Sequence, residues 1–185
     1  MLFKETKIGA LILIFVFCLT GAEASSASTD RAYEVEASGL GSSPAGSGFH
    51  NAYGFSLGFG VMLNNAQTLQ GRIDFSPLEW KRTYFGNELL YKRQVIALSS
   101  RFYKPTYSET VKFFGQVGVE VSSDKKESMD GTWVKTTSSK TNIGITPGVG
   151  IEFGIGPDVG FIISGRYHII TDSYFDLMAG IAVYF

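Results

Sequence analysis

The sequence predicts an all-β protein, an eight-stranded antiparallel up-and-down transmembrane β-barrel, and three observations carry that expectation. The last ten residues, DLMAGIAVYF, alternate: Leu177, Ala179, Ile181, Val183 and Phe185 share one face, while Asp176, Met178, Gly180, Ala182 and Tyr184 share the other. A period of two is the mark of a strand. The same alternation recurs in seven further segments. Finally, 22 glycines accompany 15 phenylalanines and 9 tyrosines, with no long apolar run after residue 24. That composition suits strands with one bulky face and one small face.

The first 24 residues stand apart. Lys4 and Lys7 precede an apolar run from Ile8 to Leu19, and Gly21, Ala22, Glu23 and Ala24 offer an Ala-x-Ala cleavage pattern. This reads as a secretory signal peptide over residues 1–24, with the barrel domain over 25–185. The run is shorter than the roughly 20 apolar residues of a spanning helix. The single cysteine, Cys18, lies inside it, so the mature chain is expected to lack disulfides and thiol chemistry. A formal net charge of −1 and the absence of a basic block argue against a nucleic-acid partner.

The strands follow in order. Tyr33, Val35 and Ala37 oppose Glu34, Glu36 and Ser38. In AYGFSLGFGVML, residues 52–63, Tyr53, Phe55, Leu57, Phe59, Val61 and Leu63 oppose Ala52, Gly54, Ser56, Gly58, Gly60 and Met62. Leu69, Gly71, Ile73 and Phe75 oppose Gln70, Arg72 and Asp74; Ile96, Leu98 and Phe102 oppose Ala97, Ser99 and Arg101. Val111, Phe113, Val117, Val119 and Val121 face away from Lys112, Gln116, Gly118 and Glu120. Ile143, Ile145, Val149, Ile151 and Phe153 oppose Asn142, Gly144, Thr146, Gly150 and Glu152, with Pro147 inside the run. A proline cannot donate to a ladder, so a bulge or irregular pairing is expected there. Val159, Phe161, Ile163, Tyr167 and Ile169 then oppose Gly160, Ser164, Arg166 and His168, and the C-terminal run completes eight.

Tight turns are expected at Asn64 to Ala66, Lys104 to Thr106 and Gly156 to Asp158, where Asn, Pro, Gly and Asp favour reversal. Opposite them lie Leu40 to Gly48, Pro77 to about Arg93, Ser122 to about Lys140, and the short Thr171 to Ser173. Short turns on one side and long polar loops on the other match an outer-membrane barrel. A soluble, lipocalin-like carrier is the alternative, and the small face argues against it. Ala, Gly, Ser and Met suit a cramped lumen, whereas a water-facing surface calls for Lys, Glu and Thr.

The sequence resembles the small eight-stranded outer-membrane β-barrels, similar to the OmpA transmembrane domain, OmpX and the Ail-like surface proteins. The signal peptide, the eight alternating strands, the turn and strand GIGPDVGFIISGRYHI, and the ending GIAVYF carry the likeness. The resemblance implies a Gram-negative outer membrane, contact with lipid and lipopolysaccharide, and a cell-surface role of structural or adhesin type. It also implies that Leu177, Ala179, Ile181, Val183 and Phe185 form a signal read by the barrel-assembly machinery.

Charged residues on the small face are expected to fill the lumen as a paired network: Glu34, Glu36, Arg72, Asp74, Arg101, Lys112, Glu120, Glu152, Arg166 and Asp176. An open channel for small solutes is the competing reading. Binding at the surface would fall to loop residues, with Trp80, Lys81, Arg82, Lys125, Lys126, Trp133 and Lys135 as candidates. An enzymatic alternative, similar to the lipid A deacylases and acyltransferases, needs a serine activated by histidine. His168 is followed by Ile169 and Ile170, and Ser164 lies about 13 Å away along the strand, leaving Asp172 and Ser173 as rim partners. The expectation is a non-catalytic monomer with no cofactor and no metal.

Overall fold

The computed structural model describes residues 32–44, 51–64, 66–84, 87–104, 110–130 and 133–185. The expected signal peptide and cleavage site lie outside these residues. Among the described residues there are nine strand segments: β1 (Tyr33–Pro44), β2 (Ala52–Met62), β3 (Leu69–Tyr84), β4 (Asn87–Lys104), β5 (Val111–Asp130), β6 (Trp133–Ile145), β7 (Gly148–Gly156), β8 (Val159–His168) and β9 (Tyr174–Tyr184). Every pairing is antiparallel, and β9 pairs with β1 while β4 pairs with β5, so the sheet closes on itself. Segments β6 and β7 are the upper and lower parts of one wall strand, which gives an eight-stranded barrel.

The expected irregularity at Pro147 is smaller than a bulge. Glu120 pairs with Gly144 and Gln116 with Gly148, so the register against β5 is unchanged across the proline. Toward β8, Tyr167 donates to the Pro147 carbonyl at 2.9 Å. The proline ring has no N–H to return the bond. One ladder bond is therefore lost, and nothing else shifts.

Two expected long loops are instead strand, and a third, Leu40 to Gly48, is strand as far as Pro44 and lies outside the described residues from there to Gly48. The segments Pro77 to Arg93 and Ser122 to Lys140 continue β3 into β4 and β5 into β6 as paired hairpins. Strands β3, β4 and β5 have 16, 18 and 20 residues, against 12, 11, 10 and 11 in β1, β2, β8 and β9. A four-stranded sheet consequently rises beyond the rim by roughly 25 Å along the strands. Both of its faces meet water at residues 138–141, where each side chain is exposed, so no apolar alternation was needed to build it.

Local chemistry explains the tight turns. Asn64 Oδ1 accepts the N–H groups of Thr68 and Leu69 at 2.9 and 3.0 Å, and Gln67 takes a left-handed φ of 52°. Asp172, in the short upper connection, has φ 59°. Such conformations are tolerated by polar turn residues with local hydrogen bonds.

The bulky face points outward in every wall strand. Val35, Leu57, Ile96, Ile143, Leu177 and Ile181 are 43 to 65% exposed. Aromatic residues gather at both ends of this apolar surface. Tyr33, Phe102, Phe113 and Phe185 lie toward the short turns, and Tyr53, Phe55, Tyr167 and Phe175 toward the opposite rim. An apolar outer band with aromatic girdles is the exterior of a barrel solvated by lipid.

Candidate functional site

Alternation along the strands sends the small and polar face inward, and the interior is layered. Its middle is a charged network. Arg72 ion-pairs with Glu34, with Glu36 at 2.8 Å and with Asp74 at 2.8 Å. Arg101 reaches Glu36 at 3.1 Å and Glu34 at 3.4 Å, with its guanidinium 4.2 Å from the centre of the Phe114 ring. Arg166 is held more loosely, 3.5 Å from Asp74 and 3.7 Å from Asp176. These three arginines and their carboxylates are at most 2% exposed, and buried charge of this kind persists only when paired. Gly58 makes room for the cluster, since a Cβ there would lie 1.9 Å from Arg72 Nη2.

His168 joins the network. Its Nδ1 lies 2.5 Å from Glu120 Oε2, and its Nε2 lies 2.9 Å from Asp176 Oδ2, an ion-pair distance without hydrogen-bond alignment. The ring stacks on Tyr174 at 4.0 Å. Ser173 Oγ donates to the Ile170 carbonyl. Among the described residues no serine is hydrogen-bonded to His168.

Apolar layers close the interior above and below. Toward the long hairpins, Leu40, Ala52, Leu78, Trp80, Val95, Tyr174 and Met178 pack together. Arg93 completes this layer: it bonds Asp124 twice, at 2.7 and 2.8 Å, donates to the carbonyls of Thr171 and Asp172, and lies against the rings of Trp80 and Tyr174. Toward the short turns, Tyr103, Phe114, Ile162, Ala182 and Tyr184 form a second layer. Gly150 admits the Phe114 ring, which would come within 2.3 Å of a Cβ at that position.

The expected site residues therefore separate. Glu34, Glu36, Arg72, Asp74, Arg101, Glu120, Glu152, Arg166 and Asp176 are all buried in the interior. Lys112 shares their face but sits at the mouth near the turns, its side chain 31% exposed and 3.9 Å from Glu152. Leu177, Ala179, Ile181, Val183 and Phe185 all point outward and are exposed.

Of the surface candidates, Trp80 requires correction. It lies in β3 rather than a loop, faces inward and is 6% exposed, because the strand continues past Pro77 and carries the alternation with it. Lys81 and Lys125 are exposed on the raised sheet. Arg82, Lys126, Trp133 and Lys135 lie in its strands, with side chains outside the described residues. Lys92 also belongs to this sheet; it donates to Glu127 at 2.9 Å, and that bond raises its pKa above the ordinary lysine value.

Sequence reasoning missed Arg93, Asp124, Tyr174 and the interior role of His168. The alternation already placed His168 in line with Arg166, and that was the available signal. Arg93 and Asp124 were hidden in segments expected to be loops.

No family model matches the chain, and a search of curated proteins gives no match. Solved structures do match. Neisserial surface protein A superposes with a TM-score of 0.60 at 19% identity, over 83% of this chain and 97% of that one. The attachment invasion locus protein Ail of Yersinia pestis gives 0.58 at 18% identity, over 84% and 100%. The outer membrane protein OprG of Pseudomonas aeruginosa gives 0.62 at 11% identity, over 83% and 96%. The chain has the fold of the small eight-stranded outer-membrane β-barrels.

Proposed function

We propose that the chain is a non-catalytic outer-membrane protein of surface-interaction type, in which the barrel is an anchor and the raised sheet of β3 to β6 makes the contacts. The single observation that carries this reading is the asymmetry of the wall. Four strand segments extend past the rim as a paired sheet, while β8 ends at His168. An anchor alone has no use for such a projection, and the exterior apolar band supports membrane residence over a soluble carrier. The closed interior favours an anchor over a channel. The ring nitrogens of His168 face Glu120 and Asp176, which supports the non-catalytic reading.

Exposed Lys81 and Lys125, with Lys92 beside them, suit a polyanionic ligand: lipopolysaccharide phosphates, or a sulfated glycan. Ail of Yersinia pestis, similar in fold at a TM-score of 0.56 and 16% identity, has been solved with the heparin analogue sucrose octasulfate. The test is a variant in which both raised hairpins are shortened to the rim. It should reach the outer membrane with the heat-modifiable gel mobility of a folded barrel, yet lose adhesion of expressing cells to heparin-coated beads. Undiminished adhesion would remove the raised sheet from the function, and recovery of the parent in the soluble periplasm would remove the membrane reading.

A further inference from the structure

We propose that the mouth at the short-turn end is a blind cup that binds a small zwitterion, a molecule carrying one ammonium and one carboxylate. The cup has a volume of about 390 Å³ and is lined by Gln67, Lys112, Glu152, Pro157, Val159 and Tyr184, among others. That is within the size range of small-molecule sites. Its floor is the lower apolar layer, to which Tyr184 belongs, so a ligand entering here does not continue into the charged interior.

Two opposite charges face this cup and are poorly matched to each other. Lys112 Nζ is 3.9 Å from Glu152 Oε1, about 1 Å longer than a close charge-assisted hydrogen bond. Glu152 is 3% exposed, and its Oε2 has no aligned hydrogen-bond partner, although the Tyr184 hydroxyl lies close to the carboxylate. A buried carboxylate oxygen without a donor is costly, and a ligand ammonium would supply three donors to it. Lys112 Nζ lies 6.0 and 5.9 Å from the rings of Tyr103 and Tyr184, at the outer limit of a cation–π contact. None of these contacts is close, and its side chain is 31% exposed at the mouth, which places it within reach of a ligand carboxylate. A simple amine would meet repulsion from Lys112, and a simple acid repulsion from Glu152. A zwitterion satisfies both.

The experiment uses the refolded full barrel in lipid nanodiscs, isotope-labelled for NMR, with glycine and 4-aminobutanoate as probes and ethylammonium and acetate as single-charge controls. At least one zwitterion should give saturable shifts at Lys112 and Tyr184. Glu152→Gln and Lys112→Gln should each weaken its binding by about tenfold or more, the loss of one charge-assisted contact. Lys112 is partly exposed at the rim, so its variant tests the idea even if Glu152→Gln fails to fold. Absence of saturable shifts with either zwitterion, equal binding by both variants, or binding of either control as tight as the zwitterion would overturn the proposal. None of these outcomes bears on adhesion through the opposite end.

Discussion

Tyr33 and Phe185 are joined by two backbone hydrogen bonds, 3.0 Å from the Tyr33 N–H to the Phe185 carbonyl and 3.1 Å in return, and their rings stack at 6.0 Å. The last residue thus fastens the last strand to the first and closes the ring at its turn end. Deleting Phe185 removes both bonds and the stack at the seam where the first and last strands meet. The folded fraction, read as heat-modifiable mobility after expression, is expected to fall, while Lys125→Ala leaves it at the parental level. Equal folded yields for the two variants would count against both the closure argument and the assembly-signal proposal.

The three interior arginines should not be equivalent. Arg72 contacts three carboxylates, two of them at 2.8 Å, whereas the contacts of Arg166 are 3.5 and 3.7 Å. Removing Arg72 leaves Glu34, Glu36 and Asp74 short of a buried counter-charge. Arg72→Ala should destabilise the barrel by about 3–5 kcal/mol, the usual range for breaking a buried pair. Arg166→Ala should cost less, and Lys125→Ala should fall within about 0.5 kcal/mol of the parent, as surface changes do. Urea titrations in detergent would give the order, and a smaller loss for Arg72 than for Arg166 would refute the network geometry.

Conductance follows from the layers. Ions entering from the hairpin side meet Trp80, Tyr174 and the doubly bonded Arg93; from the turn side they meet Tyr103, Phe114 and Tyr184. Between these lie charges bound to one another. Purified protein in planar bilayers is expected to show no steady channel steps. Stable openings would require an aqueous path that this packing denies, and a transport role would then replace the anchor.

The proposed processing site gives a separate check. The Ala22-x-Ala24 pattern places cleavage after Ala24, so the exported protein should have an intact mass beginning at Ser25. A mass that retains Met1 would refute the signal-peptide reading.

The wall was legible in the sequence because each wall strand has two different solvents on its two faces. Val35 against Glu36, Ile73 against Asp74 and Ile181 against Ala182 record lipid on one side and a narrow interior on the other. The upper part of the raised sheet lacks that contrast, although Leu78 and Trp80 still alternate with Glu79 and Lys81 nearer the rim. Lys140, Ser139 and Ser138 are all exposed whichever way they point, so they leave no period to read and passed as loop. The two closing layers were obscured for a different reason. A polar lumen was expected, yet Phe114, Ile162 and Tyr174 are apolar or aromatic residues on the inward face. Alternation tells which way a side chain points, while the choice of inward residues depends on partners from distant strands. His168 shows this most clearly, because its partners Glu120 and Asp176 come from β5 and β9.

The single lost ladder bond at Pro147 offers a gain rather than a loss of stability. Ile145 and Ile169 exchange two backbone bonds, at 3.1 and 2.9 Å, but Pro147 and Tyr167 share only the one donated by Tyr167. Register is continuous on both sides of the proline, so the backbone is already placed for the missing bond. Pro147→Val supplies an N–H and a β-branched side chain suited to a strand on the apolar exterior. The net worth of such a bond is about 1 kcal/mol, and Pro147 offers the Tyr167 carbonyl no N–H in its place. Against this stands the greater freedom of the unfolded chain once the proline ring is gone, about 0.4–1 kcal/mol. The expected outcome is therefore a modest rise in the urea midpoint, together with a protected new amide at residue 147 and slower exchange at its neighbours in β7 and β8. A fall in the midpoint with faster exchange would mean that the wall needs the gap at Pro147 to pack, and that the proline shapes the barrel rather than merely interrupting it.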